Sequence, residues 1–140
     1  MVGIETKYKK VHSSGKRKTA VARAKIQTGT GKILFNGRNY ETLQFFDKLK
    51  LAEPLRIAEH VLKKIDFDLE LTVKGGGEKG QIDAARLAMA KAIIEYTKSE
   101  ELKEAYLEYD KNLLIADARR KETCKPGYSK ARAKGQTSFR

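Results

Sequence analysis

The chain has 140 residues, 40% of them hydrophobic and 34% charged, with a formal net charge of +12 and a single cysteine. That length suits one domain with a real core and is short for two. One cysteine excludes an intramolecular disulfide and a CxxC metal pair, no apolar run approaches membrane-spanning length, and no apolar leader follows Met1, so a reducing, cytosolic protein is expected. The charge is concentrated in two places. Lys7 to Lys25 holds eight Lys or Arg and no acid, and Arg119 to Arg140 holds eight against Glu122 alone, whereas residues 26–118 carry 14 basic and 16 acidic side chains. A near-neutral body between two basic segments points to a polyanionic partner.

In chain order, a basic leader of residues 1–13 precedes SGKRKTAVARAKI (Ser14 to Ile26), which reads as one strand entered through a basic loop. Ala20, Ala22, Ala24 and Ile26 alternate there with Val21, Arg23 and Lys25, and Arg17, Thr19, Val21 and Arg23 are expected on a single face. After a TGTGK turn, Ile33 to Phe35 forms a second strand, expected antiparallel to the first, and Asn36-Gly37 is a hairpin turn because both residues tolerate positive φ. Tyr40 to Lys64 reads as helical in pieces, with Pro54 at a helix start and Ile57, Ala58, Val61 and Leu62 on a buried face. Ile65, Phe67, Leu69, Leu71 and Val73 alternate strictly with polar residues, which makes the cleanest strand of the chain.

A glycine loop follows, and then a helix with Ile82, Ala85, Met89, Ala92, Ile93 and Tyr96 on its buried face and Arg86, Lys91, Glu95 and Lys98 away from it. Leu102, Ala105, Tyr106, Tyr109 and Leu113 mark another helix, with Thr97 and Glu100 or Ser99 available near its start. Past Asp117 the periodicity stops, and residues 119–140 have too few apolar side chains to offset the entropy of ordering, so they are expected as an extended tail that orders on a partner. Residues 14–118 form the globular body. The fold class is α+β: a small mixed sheet covered on one face by helices.

Gly75, Gly77 and Gly80 spell G-x-G-x-x-G, the lettering of a dinucleotide turn. That fold requires a second parallel strand ending in an acid, but here helix follows helix, and no Walker lysine follows the loop. Backbone N–H groups at a helix start suit phosphate of any origin, and Lys74, Lys79 and Arg86 add charge nearby, so RNA phosphate fits better than a cofactor. Gly77 is the position at which a side chain is expected to impair RNA binding or folding. Asp66, Asp68 and Glu70 share a strand face, where solvent or pairing with Arg23 and Lys25 explains them better than a metal. His12, His60 and Cys124 lack a recognisable catalytic partner, so neither enzyme chemistry, a cofactor nor a small-molecule substrate is expected. Two competing classes are a free RNA chaperone and, less favoured, a small nucleotide-dependent enzyme using the loop.

SSGKRKTAVARA, GKILFNGR, VKGGGEKGQIDAARLAMAKAI, YDKNLLIADARRKE and the basic tail ending in SFR occur in one order over nearly the whole chain. Together they resemble the small-subunit ribosomal protein S-nine family, in its archaeal and eukaryotic form. The resemblance implies the fold of the second domain of ribosomal protein S-five, with a left-handed β-α-β crossover. It also implies a structural role in the head of the small subunit of the cytoplasmic ribosome, among neighbouring head proteins and away from any membrane. Carried over position by position, the rRNA contacts would be Lys16, Arg17, Lys18, Arg23, Gly75, Gly76, Gly77, Lys79, Gly80, Gln81, Arg119, Arg120 and Lys121. Lys134, Gln136, Phe139 and Arg140 would reach the peptidyl-site tRNA, with Arg140 near the anticodon-stem backbone.

Overall fold

The computed structural model describes residues 10–127, 130–135 and 137–139. Its body is one five-stranded mixed sheet with three helices. Strand β1 (Lys10–Arg17) and β2 (Ala20–Thr28) form an antiparallel hairpin, β3 (Ile33–Phe35) and β4 (Arg38–Asn39) form a second, and β5 (Phe67–Lys74) lies between them. The spatial order is β1-β2-β5-β3-β4, with β5 antiparallel to β2 and parallel to β3. Helix α1 (Phe45–Leu62) links β3–β4 to β5 and completes a β-α-β unit; α2 (Glu78–Thr97) and α3 (Glu100–Tyr109) follow.

The basic segment behaves differently from its sequence reading. Ser14 to Ile26 is not one strand: the chain reverses at Lys18-Thr19, with Arg17 opposite Ala20 and Lys18 at a φ of +53°. No glycine or asparagine marks this turn. β1 therefore includes residues 10–13, assigned above to a leader. The reversal also moves Arg17 off the face of Val21 and Arg23. Lys16 takes its place, opposite Val21, while Arg17 shares the helix side with Ala20.

β3 does not pair with β2, because β5, eight residues long and paired with β2 along its whole length, takes that position. The Asn36-Gly37 turn is present, with φ values of +49° and +79°. It is also a tertiary anchor: Asn36 donates its backbone N–H to Leu71 O at 2.8 Å, and its side-chain oxygen accepts from Val73 N at 2.8 Å. Only a residue with a short polar side chain at positive φ can make both bonds to β5 from this turn.

α1 is one continuous helix of 18 residues with Pro54 inside it, not at a start. The missing N–H costs a backbone bond. Packing compensates, since Pro54 is fully buried and its carbonyl accepts the Tyr106 hydroxyl at 2.7 Å. Burial holds that phenol protonated by raising its pKa well above the usual value.

α2 lies across β1, β2 and β5, and α1 and α3 pack on its other side. That double coverage buries Ala84, Leu87, Ala88 and Ala90 in addition to Ile82, Ala85, Met89, Ala92 and Ile93. Alanines dominate because the helix approaches the sheet closely. At Gly15 an added Cβ would stand 2.4 Å from Ala84 O and 2.6 Å from Ala88 N, so β1 admits only glycine there. Ser99 caps α3 by accepting from Leu102 N at 3.3 Å. Residues 118–127 are exposed and without regular structure. Among the described residues no helix is long and apolar enough to cross a membrane.

Candidate nucleic-acid interface

The helices cover one face of the sheet and leave the other open. Strand register sets what that open face carries. Side chains alternate across a strand, so Lys16, Val21 and Lys74 form one outward row, Ser14, Arg23 and Thr72 the next, and His12, Lys25 and Glu70 the third. A cavity of about 470 Å³ opens between them, lined by His12, Ser14, Arg23, Lys25, Glu70 and Thr72 among others. Lys25 reaches Glu70 at 3.5 Å, as the cross-sheet pairing predicts, while Arg23 stands opposite a threonine and presents its guanidinium to solvent. Lys10 and Lys25 join this surface although neither is among the rRNA contacts that the resemblance implies, and Lys74, expected beside the glycine loop, joins it as well. The alternation of β2 and β5 contained the signal, but it needed the pairing register to become a surface.

The acidic strand face is used internally. Asp68 accepts backbone N–H bonds from Thr30 (2.9 Å), Gly31 (3.1 Å) and Lys32 (2.9 Å), so its carboxylate closes the β2–β3 loop. The Lys32 N–H leads the other bonds and outweighs desolvation in drawing its pKa below the ordinary carboxylate value. Among the described residues no group of His, Cys, Asp and Glu could hold a metal ion.

The glycine loop lies at the end of the molecule where the β1–β2 turn meets the start of α2. Lys18, Thr19, Gly76, Gly77, Lys79 and Gly80 line a cleft of about 440 Å³ there. The geometry keeps only Gly75 of the G-x-G-x-x-G lettering and adds Gly76, which the lettering leaves out. Gly75 and Gly76 have φ of +77° and +67°, and a Cβ on Gly76 would sit 2.9 Å from both Cβ and N of Ala20. Gly77, the N-cap of α2, has an ordinary φ of −102° and open space around it. Gly80 would meet only van der Waals neighbours at 3.7 and 3.8 Å. The expectation that a side chain at Gly77 damages folding therefore transfers to Gly76, where the loop packs against the hairpin.

Several cations assigned to RNA are already engaged. Lys79 reaches the buried Asp47 carboxylate at 2.7 Å, and Gln81 donates to Gly75 O at 3.1 Å, which steadies the loop. Arg86 does not face the loop: it pairs with Glu53 at 2.6 Å and Asp110 at 3.0 Å, tying α1 and α3 to α2. Arg17 contacts the Asp117 carboxylate and lies 3.8 Å from Asp83. Arg119 holds the same Asp117 carboxylate through Nε at 2.8 Å and a terminal nitrogen at 2.6 Å. Arg120 donates to the carbonyls of Asp117 and Arg119. Lys16, Lys18, Arg23, Lys74 and Lys121 are exposed. Lys134 and Phe139 are exposed as well, Phe139 at 84%, whereas Gln136 and Arg140 lie outside the described residues. The sequence also missed Phe45 and Phe46, stacked edge to face at 5.5 Å and left 68% and 74% exposed at the start of α1.

An open, cation-bearing sheet face, a basic cleft at a helix start and a long basic tail are the features of a protein that binds an extended polyanion through its backbone. The family described as Ribosomal protein S9/S16 matches residues 15–140. A small ribosomal subunit protein uS9 of Methanococcus vannielii is 49% identical over 135 residues, covering 94% of this chain and 99% of the relative. The uS9 proteins of Picrophilus torridus and Pyrobaculum aerophilum are 50% and 44% identical, covering 90% and 93% of this chain and 94% and 91% of their own lengths. The chain belongs to the ribosomal protein S9/S16 family, and its relatives are mostly archaeal. It is therefore not an enzyme, and the loop's likeness to a dinucleotide turn is one of lettering.

Proposed function

We propose that the chain is a structural component of the small ribosomal subunit in the cytoplasm, packed on rRNA of the subunit head beside other head proteins, with its tail directed to the peptidyl-site tRNA. The observation that carries this reading is the separation of charge: exposed Lys16, Lys18, Arg23 and Lys74 around the hairpin, and a tail of Arg119, Arg120, Lys121 and beyond, on a body that is otherwise near neutral. The small ribosomal subunit named by the relatives supplies a partner of matching charge. The β-α-β unit supports assignment to the fold of the second domain of ribosomal protein S-five, with its left-handed crossover.

The open sheet face and the glycine cleft meet at the β1–β2 turn, so one RNA strand crossing the turn contacts both. Backbone phosphates set position and affinity there, and RNA shape supplies specificity. In the tail, Lys134 and the Phe139 ring offer a cation and a stacking surface, and Gln136 and Arg140 complete the assigned tRNA contacts. The test is sedimentation of cell extract on a sucrose gradient, followed by deletion of residues 134–140. The intact protein is expected in the small-subunit fraction. The deletion is expected to stay there while tRNA retention at the peptidyl site weakens. Protein confined to the top of the gradient refutes the ribosomal assignment, and unchanged tRNA retention refutes the role of the tail.

A further inference from the structure

The short ion-pair cluster where the tail begins has a geometry that the charge map alone does not explain. Leu113 is fully buried, Asp117 is half-buried with a side-chain exposure of 16%, and every residue from 118 to 127 is exposed. Asp117 is thus the last partly buried residue before the tail. Its carboxylate meets the guanidinium of Arg17, itself only 20% exposed at the end of β1, and that of Arg119, the first cation of the tail. One acid therefore bridges the body to the tail root.

We propose that Asp117 is a positioning residue: paired with Arg17 it fixes the point and direction in which the tail leaves the body, and through Arg119 it orients the first tail segment. The Arg17–Asp117 contact is suited to this because partial burial reduces its screening by salt. Arg119, 81% exposed, is held by four hydrogen bonds from three donor groups to the same carboxylate, its backbone N–H among them, so its position follows that of Asp117. The Arg119 hydrogen bonds, and then the Arg17 charge, lower the pKa of Asp117 far enough to keep it ionised well into acid. Residues fixed before docking lose less freedom on binding, so a rooted tail engages its partner more tightly than one on a free hinge. This consequence for tRNA rests on the function proposed above; the latch itself does not.

The single exposed Cys124 gives a direct readout. Nitroxides at Cys124 and at a cysteine introduced by Lys64→Cys, a well-exposed site on the body, report a distance distribution in the free full-length protein. The distribution is expected to be narrow in the parent, to broaden equally in Asp117→Asn and Arg17→Gln, and to broaden no further in the double variant. Asp117→Glu, which keeps the charge, is expected to retain the narrow distribution, and all variants to melt near the parent temperature. Subunits carrying Asp117→Asn should then retain tRNA roughly two- to ten-fold less well. Unchanged distributions in both single variants, or additive broadening in the double, overturn the proposal. Broadening without any change in tRNA retention upholds the latch and refutes its contribution to tRNA binding, while the tail's own tRNA role is judged by the deletion of residues 134–140.

Discussion

A side chain at Gly76 and one at Gly77 test whether the loop's glycines serve geometry or lettering. Gly76 has a φ of +67°, and its added Cβ would approach backbone and Cβ of Ala20 at 2.9 Å. The left-handed conformation costs a Cβ-bearing residue roughly 1–2 kcal/mol. Separating two packed backbones adds about 1–3 kcal/mol. Gly76→Ala should therefore lose about 2–5 kcal/mol, a large part of the 5–15 kcal/mol that such a domain has in total. Gly77 carries none of these costs: its φ is −102° and nothing stands within 4 Å of its Cβ position. Weaker N-capping by alanine and a less flexible unfolded chain act in opposite directions, leaving Gly77→Ala within about 1 kcal/mol of the parent. Urea denaturation of the two purified variants reads both values, and Gly76→Ala should also melt roughly 10 °C lower. Equal stability of the two variants, or a Gly77→Ala loss matching that of Gly76→Ala, would refute the packing argument.

Three further outcomes are expected. RNA binding by the isolated protein should weaken with salt, its log affinity falling by roughly 0.7–0.9 per log salt for each phosphate contacted, and Arg23→Gln should reduce that slope by about one contact; a flat response in a filter-binding titration contradicts phosphate recognition. Asp68→Asn should destabilise the protein at neutral pH, because the folded carboxylate has a lowered pKa and its stabilisation is present above the unfolded value near 3.8. The gap between parent and variant should close as pH falls through the folded value, and a gap that persists in strong acid contradicts the loop-closing role. Tyr106→Phe should cost about 1 kcal/mol in thermal or chemical melts through loss of the buried bond to Pro54 O, and a neutral result removes that bond from the account of the α1 proline.

Much of this protein was legible in the sequence because local rules fix it. Alternation placed Phe67, Leu69, Leu71 and Val73 on a buried face, helical spacing placed Ile82, Ala85, Met89 and Ile93 on another, and Asn36-Gly37 announced its turn. Segregated charge announced a polyanion, and several motifs in one order announced the family. What tertiary structure decided were matters of pairing and approach. Lys18-Thr19 turns without a turn signature because antiparallel pairing of β1 along β2 imposes it. Parallel pairing of β3 with β5 depends on a crossover through α1 that no local pattern encodes. Gly15 and Gly76 are required by backbones that meet across the fold, while Gly77 and Gly80, which spell the motif, are not. The same holds for charge. Arg17, Arg86 and Lys79 look alike as cations in a sequence, but each has a carboxylate brought to it by another element, whereas Lys16 and Arg23 are left to solvent. Sequence sets which residues can bear a charge or a turn; long-range packing sets which of them are already satisfied and which remain for a partner.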